Sequence, residues 1–508
     1  MRLPLVSAVL SLLLAATILA QPAPRFGLSE SGRLAAVYDE ILNARFAQAR
    51  SRLAESCPPA PREACLALEA AVQWWQVVLD PEDRTVDAPL ESAARSAIAS
   101  ATDWTMREPR RAEAWFYLAG SYAPLVQLRV LRGERLAAAR DGNRIRSALE
   151  RALALDPTLE DAKFGIGLYH YYADVAPAAA RMLRWLLLLP GGDRRQGLDE
   201  MLATRQRGQL LRGEADFQLH WLYLWYENQP ERALELLGDL DRRYPANPVF
   251  LQRVAEVKAN YLHDYPASAE TWTSLLERAQ LGRTAANDVA RARAQIGLAM
   301  AHDAMYETDR AIEPLQALVA ARPSAPVGVV AHARLLLGEA HDRLGDRAEA
   351  VASYRAALDA TVVSAELRTR ARAGLGRQPD PTVARAYRLS LQGLRLLERG
   401  ETANAVAALS RAKTLQPGDA VIRTRYARAL LVAGRDADAQ IELEGVLQAR
   451  ETPPAIVHAA ACVAYARLLE RSGDRVGAIS YYERALSVVG GETRAREDAE
   501  RAIKRLRS

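Results

Sequence analysis

Small residues recur along the carboxy-terminal half of this chain at offsets that leave room for only one kind of local structure. Between Ala331 and Leu358 the series is Leu337, Gly338, His341, Gly345, Ala350, Tyr354 and Ala357, and between Ala386 and Pro417 it is Gly393, Leu396, Gly400, Ala405, Leu409, Ala412 and Pro417. Each series reads as two antiparallel helices. Small residues mark where the helices cross closely, large apolar ones fill the space between, and a glycine near the middle permits the turn. The second-helix alanine repeats further on as Ala439 and Ala478, and earlier as Ala233 and Ala311. From Ala311 the successive intervals to Ala350, Ala405, Ala439 and Ala478 are 39, 55, 34 and 39 residues. Recurrence at 34 to 39 residues, interrupted once by the interval of 55, is the mark of a stacked repeat, in which each hairpin buries its apolar face only against its neighbours.

These positions resemble the tetratricopeptide repeat (TPR) family. The resemblance implies an all-α protein, an α-solenoid of antiparallel helical hairpins wound into a superhelix with a concave groove. The repeat signature rests on Gly338, Ala350, Tyr354, Ala357, Gly393, Ala405, Ala412, Pro417, Ala439 and Ala478. A stacked array also accounts for how 508 residues can fold without one large core.

The rest of the chain divides around this array. Residues 1–20, with Arg2 followed by an apolar run from Leu3 to Ala20, read as a signal peptide cut before Gln21. This places the protein in the periplasm or outside the cell; the alternative is an uncleaved inner-membrane anchor with the body in the periplasm. A leader, 21–29, precedes an irregular array over 30–376. The cluster Gly376-Arg377-Gln378-Pro379-Asp380-Pro381 marks a hinge at 377–382. A regular array of three repeats follows over 383–491, and 492–508 reads as a capping helix. Cys57 and Cys65 flank a proline-rich turn and are a candidate disulfide, with two free thiols as the alternative. Cys462 occupies an aromatic position in the last repeat and reads as a packed core residue.

Between Ala162 and Glu214 the repetition lapses. Phe164, Gly165, Gly167 and Tyr169 to Tyr172 lead to the apolar run Met182–Pro190, then to Gly191-Gly192-Asp193-Arg194-Arg195 and Gly197. Over this block the chain is similar to a eukaryotic TPR-containing family associated with mitochondrial outer membranes and lipid droplets, but no function is carried over. The apolar run is short for a bilayer span and reads as buried between hairpins, with membrane-surface contact the sharper alternative. The Gly-Gly turn reads as an interhelical turn, or as backbone N–H groups offered to an anion beside Arg194 and Arg195. Trp74, Trp75, Trp104, Trp115, Trp221, Tyr223, Trp225 and Tyr226 make this half aromatic-rich, which suits a core or a stacking surface for glycan or peptide.

Catalytic and metal-binding patterns are missing from the sequence. None of the seven histidines stands in HxxxH or HExxH spacing, and there is no GxSxG elbow or phosphate loop. The expectation is a non-catalytic scaffold with no cofactor and no metal. Of 67 basic residues only Lys163, Lys258, Lys413 and Lys504 are lysines, and acidic residues are interspersed throughout, so no basic stripe of the kind that tracks nucleic acid stands out. The expected partner is a protein or a peptide segment in the concave groove, with membrane contact not required. By repeat position the groove-lining candidates are Arg293, Ile296, Asp303, His332, Glu339, Asp342, Arg343, Arg428 and Arg467. Some TPR domains hold a carboxy-terminal carboxylate with lysine and asparagine at the fifth and ninth positions of successive first helices. Ile296, Leu335 and Val463 at the fifth position depart from that pattern.

Overall fold

The computed structural model describes residues 26–175, 191–490 and 493–508. Residues 1–20, which the sequence reading takes as a signal peptide, the start of the leader and the apolar run Met182–Pro190 lie outside the described residues. Within them there are 24 α-helices, one short 3-10 turn and no strand. None of these helices is long and apolar enough to cross a membrane.

The helices follow one another as hairpins. The first half contains α1 (Ser31–Leu42) with α2 (Phe46–Ser56), α3 (Arg62–Leu79) with α4 (Asp87–Arg107), α5 (Ala112–Leu131) with α6 (Arg135–Leu155), and α7 (Glu160–Val175) with α8 (Arg194–Arg207). Next come α9 (Arg212–Trp225) with α10 (Pro230–Arg243), α11 (Pro248–Asn260) with α12 (Tyr265–Gln280), α13 (Asn287–Ala304) with α14 (Thr308–Ala321), and α15 (Val329–Leu344) with α16 (Arg347–Leu358). A single helix, α17 (Ala365–Gly376), precedes α18 (Pro381–Glu398) with α19 (Thr402–Leu415), α20 (Ala420–Val432) with α21 (Asp436–Leu447), and α22 (Ala455–Arg471) with α23 (Arg475–Ser487). The terminal α24 (Thr493–Arg507) packs on α23.

Local chemistry sets these boundaries. The Asp380, Asp419 and Asp474 side chains accept backbone N–H groups at the starts of α18, α20 and α23, replacing bonds that the first turn cannot make internally. Pro417 stands in the turn that separates α19 from Asp419. Within a hairpin the repeat signature is a packing rule. Ala350, Tyr354, Ala357, Ala405, Ala412, Ala439 and Ala478 are all fully buried. Gly338 lies so close to the Tyr354 ring that a Cβ there would sit 2.5 Å from it, and Gly374 of α17 approaches the same ring from the other side. Gly393 makes the equivalent close approach to Leu409.

The first half is more closed than a linear stack. A continuous apolar core runs from Leu28 to Val257, with Trp75 fully buried at its centre, its ring 5.0 Å from Phe217 and 5.9 Å from Phe250. Polar contacts complete the ring. Tyr244 Oη donates to Asp39 at 2.8 Å, Asn247 Nδ2 to the carbonyl of Leu42 at 2.7 Å, and the Ala246 N–H to Asn43 Oδ1 at 3.0 Å. Thus α1 meets a segment about two hundred residues further along. Cys57 and Cys65 are bonded to each other across the proline-rich turn, their Cα atoms 6.6 Å apart, and Cys462 is a buried free thiol.

Candidate functional site

In most of the hairpins the turn between helices holds one residue in the left-handed region. That residue is Gly345 (φ 83°), Gly400 (77°), Gly434 (72°) and Gly473 (87°) in the carboxy-terminal hairpins. At the equivalent place in four earlier hairpins stand Ala44 (φ 57°), Asn228 (φ 49°), His263 (φ 53°) and Tyr306 (φ 60°). An L side chain there costs about 1–2 kcal/mol relative to a permitted conformation, and such strain persists where surrounding contacts hold it. The His263 and Tyr306 turns have such contacts, because the later hairpins coil back onto them.

The closer contact is at Tyr306. Its carbonyl accepts from Tyr387 Oη at 2.7 Å and from Arg425 Nη2 at 2.6 Å, while Arg425 Nη1 donates to Ser390 Oγ at 2.8 Å. One residue on, Arg395 Nη2 lies 3.0 Å from Glu307, and Arg395 binds Asp309 through both Nε at 2.8 Å and Nη2 at 3.0 Å. Thr308 Oγ1 is 2.9 Å from Tyr387 Oη. Arg310 reaches Glu398 at 2.9 Å, and Arg343 pairs with Asp303. Residues 303–310 are thereby clasped by α15, α18 and α20 across as many as 119 positions of sequence. Further along, Gly490 approaches His263, where a Cβ would meet the histidine Cβ at 3.0 Å.

Burial and charge compete within this clasp. Burial acts to raise the Asp309 pKa, but hydrogen bonds and charge from Arg395 outweigh it and leave the carboxyl below its usual range. Burial likewise disfavours the charged form of Arg395, yet its bonds to Asp309, Glu398 and Glu307 hold it more firmly protonated than usual. Arg425 is the contrasting case. Burial is the largest influence on it, it makes no ion pair among the described residues, and its guanidinium is shifted downward. Burial also raises the hydroxyls of Tyr387 and Tyr306.

The groove-lining candidates separate on this geometry. Asp303 and Arg343 meet in the clasp. Arg293 faces inward, but its neighbours are the chain's own Gln252 at 3.0 Å and Asp80 at 3.8 Å. Ile296 does not line an open face. It packs in an apolar cluster with Ala311, Leu315, Val329 and Leu337, because the fifth position of this helix faces the next hairpin. Asp342 is also buried, accepting from Tyr354 Oη at 3.0 Å and Arg347 at 2.7 Å, so it serves its own hairpin. Glu339 is held by Arg370, and burial lowers the half-buried His332. Arg467 pairs with Asp498 of the terminal helix at 2.9 Å. Arg428 is exposed, with no ion pair among the described residues. Tyr387, Arg395 and Arg425 were not among the candidates. The available signal was the bulky residue at a turn-glycine position, Tyr306 aligned with Gly345.

The irregular block resolves into a joint. Gly167 and Gly197 let α7 and α8 approach backbone to backbone, and Gly192 fits against the carbonyl of His170. Two N–H groups just after the Gly-Gly turn are taken by the chain's own carboxylates. Arg194 N–H donates to Asp174 at 3.2 Å, and Gln196 N–H donates to Asp193 at 2.9 Å. The Arg194 side chain binds Glu227 at 2.8 and 2.7 Å and the carbonyl of Tyr226 at 3.0 Å. Among the aromatics of this half, Trp75, Trp104 and Tyr171 are buried, whereas Tyr172 (37%), Tyr226 (39%) and Trp225 (55%) keep exposed surface.

Paired helices, close crossings at Gly338 and Gly393 and a turn residue of left-handed φ define a helical-repeat solenoid. Residues 331–361 of this solenoid match the Tetratricopeptide repeat family. No curated protein matches the sequence. Among solved structures, a tetratricopeptide repeat protein from Parabacteroides merdae is 17% identical, with 58% of this chain and 99% of that one covered and a TM-score of 0.25. The TPR2AB domain of yeast Sti1, in complex with pHSP90, is 13% identical over 58% and 99%, TM-score 0.23. The human IFIT1 dimer with m7Gppp-AAAA is 15% identical over 76% and 81%, TM-score 0.28. At such scores these likenesses carry no argument about what this chain binds.

Proposed function

We propose that this protein is a non-catalytic scaffold of the cell envelope whose inner face holds a partner protein. The observation that carries the reading is the convergence of polar side chains from α15, α18 and α20, the first helices of three later hairpins, at residues 303–310. Helical-repeat arrays use such extended concave surfaces for recognition. The export signal at residues 1–20 supports the envelope placement, and amino-terminal sequencing of the mature protein tests it, with Gln21 the expected first residue. Crosslinking in envelope extracts tests the scaffold. A partner should be captured by the wild-type chain and by Arg411→Glu on α19, and lost with Arg428→Glu on the inner face. Recovery of the protein alone overturns the reading.

A second reading rests on the Tyr171, Tyr172 and Tyr226 rings, whose centroids lie 5.8 to 5.9 Å from one another at the end of α7. Two of the three are partly exposed, and exposed edge-to-face aromatics can take up a sugar ring or a lipid surface. Titration with envelope polysaccharide or with anionic vesicles should then change the emission of Trp225, and no response to either removes this reading.

A further inference from the structure

The clasp indicates what chemistry the inner face recognises, because the chain already places a segment of its own there. Glu307-Thr308-Asp309 presents two carboxylates with a hydroxyl between them, preceded by the free carbonyl of Tyr306. Each of these groups is met by a matching one. Arg395 takes both carboxylates, Tyr387 Oη takes the Thr308 hydroxyl and the Tyr306 carbonyl, and Arg425 takes that carbonyl as well.

Two features distinguish this contact from ordinary repeat packing. It is built on ion pairs and hydrogen bonds: among the described residues no apolar cluster joins α18 or α20 to α13 or α14, whereas neighbouring hairpins share such clusters. A contact made only of ion pairs and hydrogen bonds has near-equal alternatives in water or in another polar ligand, so it can exchange partners. In addition Arg425 is half-buried and makes no ion pair among the described residues, its direct bonds beside the seat going only to neutral oxygens.

Resting on the scaffold reading above, we propose that Tyr387, Arg395 and Arg425 form a recognition surface for an acidic segment of a partner protein. That segment carries a hydroxyl residue between two carboxylates, and the chain's own residues 306–309 occupy its place in cis. The partner would bind by displacing this turn, opening α18 and α20 away from α13 and α14. The recognised feature is internal, so a free chain end is not required.

The probe is a fluorescein-labelled peptide, Ala-Met-Tyr-Glu-Thr-Asp-Arg-Ala, which copies residues 304–311. Fluorescence anisotropy is measured with the full chain as wild type, as Glu307→Gln with Asp309→Asn, and as that double variant with Arg395→Ala added. The double variant should bind at least tenfold more tightly than wild type, because its own segment no longer competes, and Arg395→Ala should remove the gain. A control peptide with glutamine and asparagine in place of the acids should not bind. Equal binding by wild type and the double variant, or binding indifferent to Arg395, overturns the proposal. If the double variant does not fold, hydrogen exchange of the wild-type protein decides. Saturating peptide must speed exchange of the 305–310 amides, and unchanged exchange overturns the proposal. Failure here with an envelope partner still captured by crosslinking rejects only the acidic motif, whereas loss of both rejects the scaffold itself.

Discussion

Tyr387 donates its hydroxyl hydrogen to the carbonyl oxygen of Tyr306 at 2.7 Å, joining residues 81 apart that no apolar contact would bring together. Arg425 uses the same oxygen. Tyr387→Phe should therefore cost about 1 kcal/mol, and its effect should not add simply to that of Arg425→Ala, since two donors share one acceptor. Urea melts of the single and double variants check this. Additive losses would mean that the two bonds are independent.

Gly345 and Gly473 allow conformational strain to be separated from close packing. Both have positive φ, but a Cβ on Gly345 would lie 2.8 Å from the Ala384 Cβ, whereas one on Gly473 meets nothing within 4 Å. Gly473→Ala should cost about 1 kcal/mol for the left-handed backbone alone. Gly345→Ala should cost more, because α18 must also move. Equal shifts in melting temperature would show that the approach of α18 to this turn is not tight.

Ala350 is fully buried among Ala331, Leu335, Tyr354, Ala357 and Ala371. Ala350→Leu should overpack this crossing and destabilise the protein by about 1–3 kcal/mol. An unchanged melting temperature would count against the hairpin register.

Glu214 is buried, with Tyr38 Oη at 3.1 Å and Gln218 Nε2 at 3.1 Å and no cation bound to it among the described residues. Burial raises its pKa above the usual carboxylate range. The folded state thus holds this proton more tightly than the unfolded chain. Its stabilising contribution is fully present below the unfolded value and is lost as pH rises through the folded one. Glu214→Gln keeps the shape without the charge. The melting temperature of the variant minus that of wild type should therefore grow as pH increases from acidic to neutral, and a flat difference would mean that the carboxyl is already solvated.

Cys57 and Cys65 close a loop separated by 8 residues in sequence. A loop of this size limits the unfolded chain by about 2–3 kcal/mol. Dithiothreitol should lower the melting temperature of wild type and leave the Cys57→Ser, Cys65→Ser double variant unchanged. Equal sensitivity of both proteins would exclude a stabilising bridge.

The hairpins were legible in the chain because their causes are local. Gly338, Ala350 and Tyr354 sit where a period of 3.6 and a close helix crossing require them, and Asp419 after Pro417 ends one helix and starts the next. Positions along a helix also predict which way a side chain leaves the axis. It could not show that Asp303 and Arg343 would pair with each other, that Ile296 would be covered by the next hairpin, or that Asp342 would be buried within its own.

The sequence by itself determined the helices, their pairing and the repeat, since each depends on residues within one hairpin or the next. Only the tertiary structure decided how far the array winds. The meeting of Leu42 with Asn247, and of Tyr306 with Tyr387 and Arg425, follows from small rotations summed over several hairpins. Polar pairs formed at that range leave no period in the chain, because each is a single match between residues that no local rule relates.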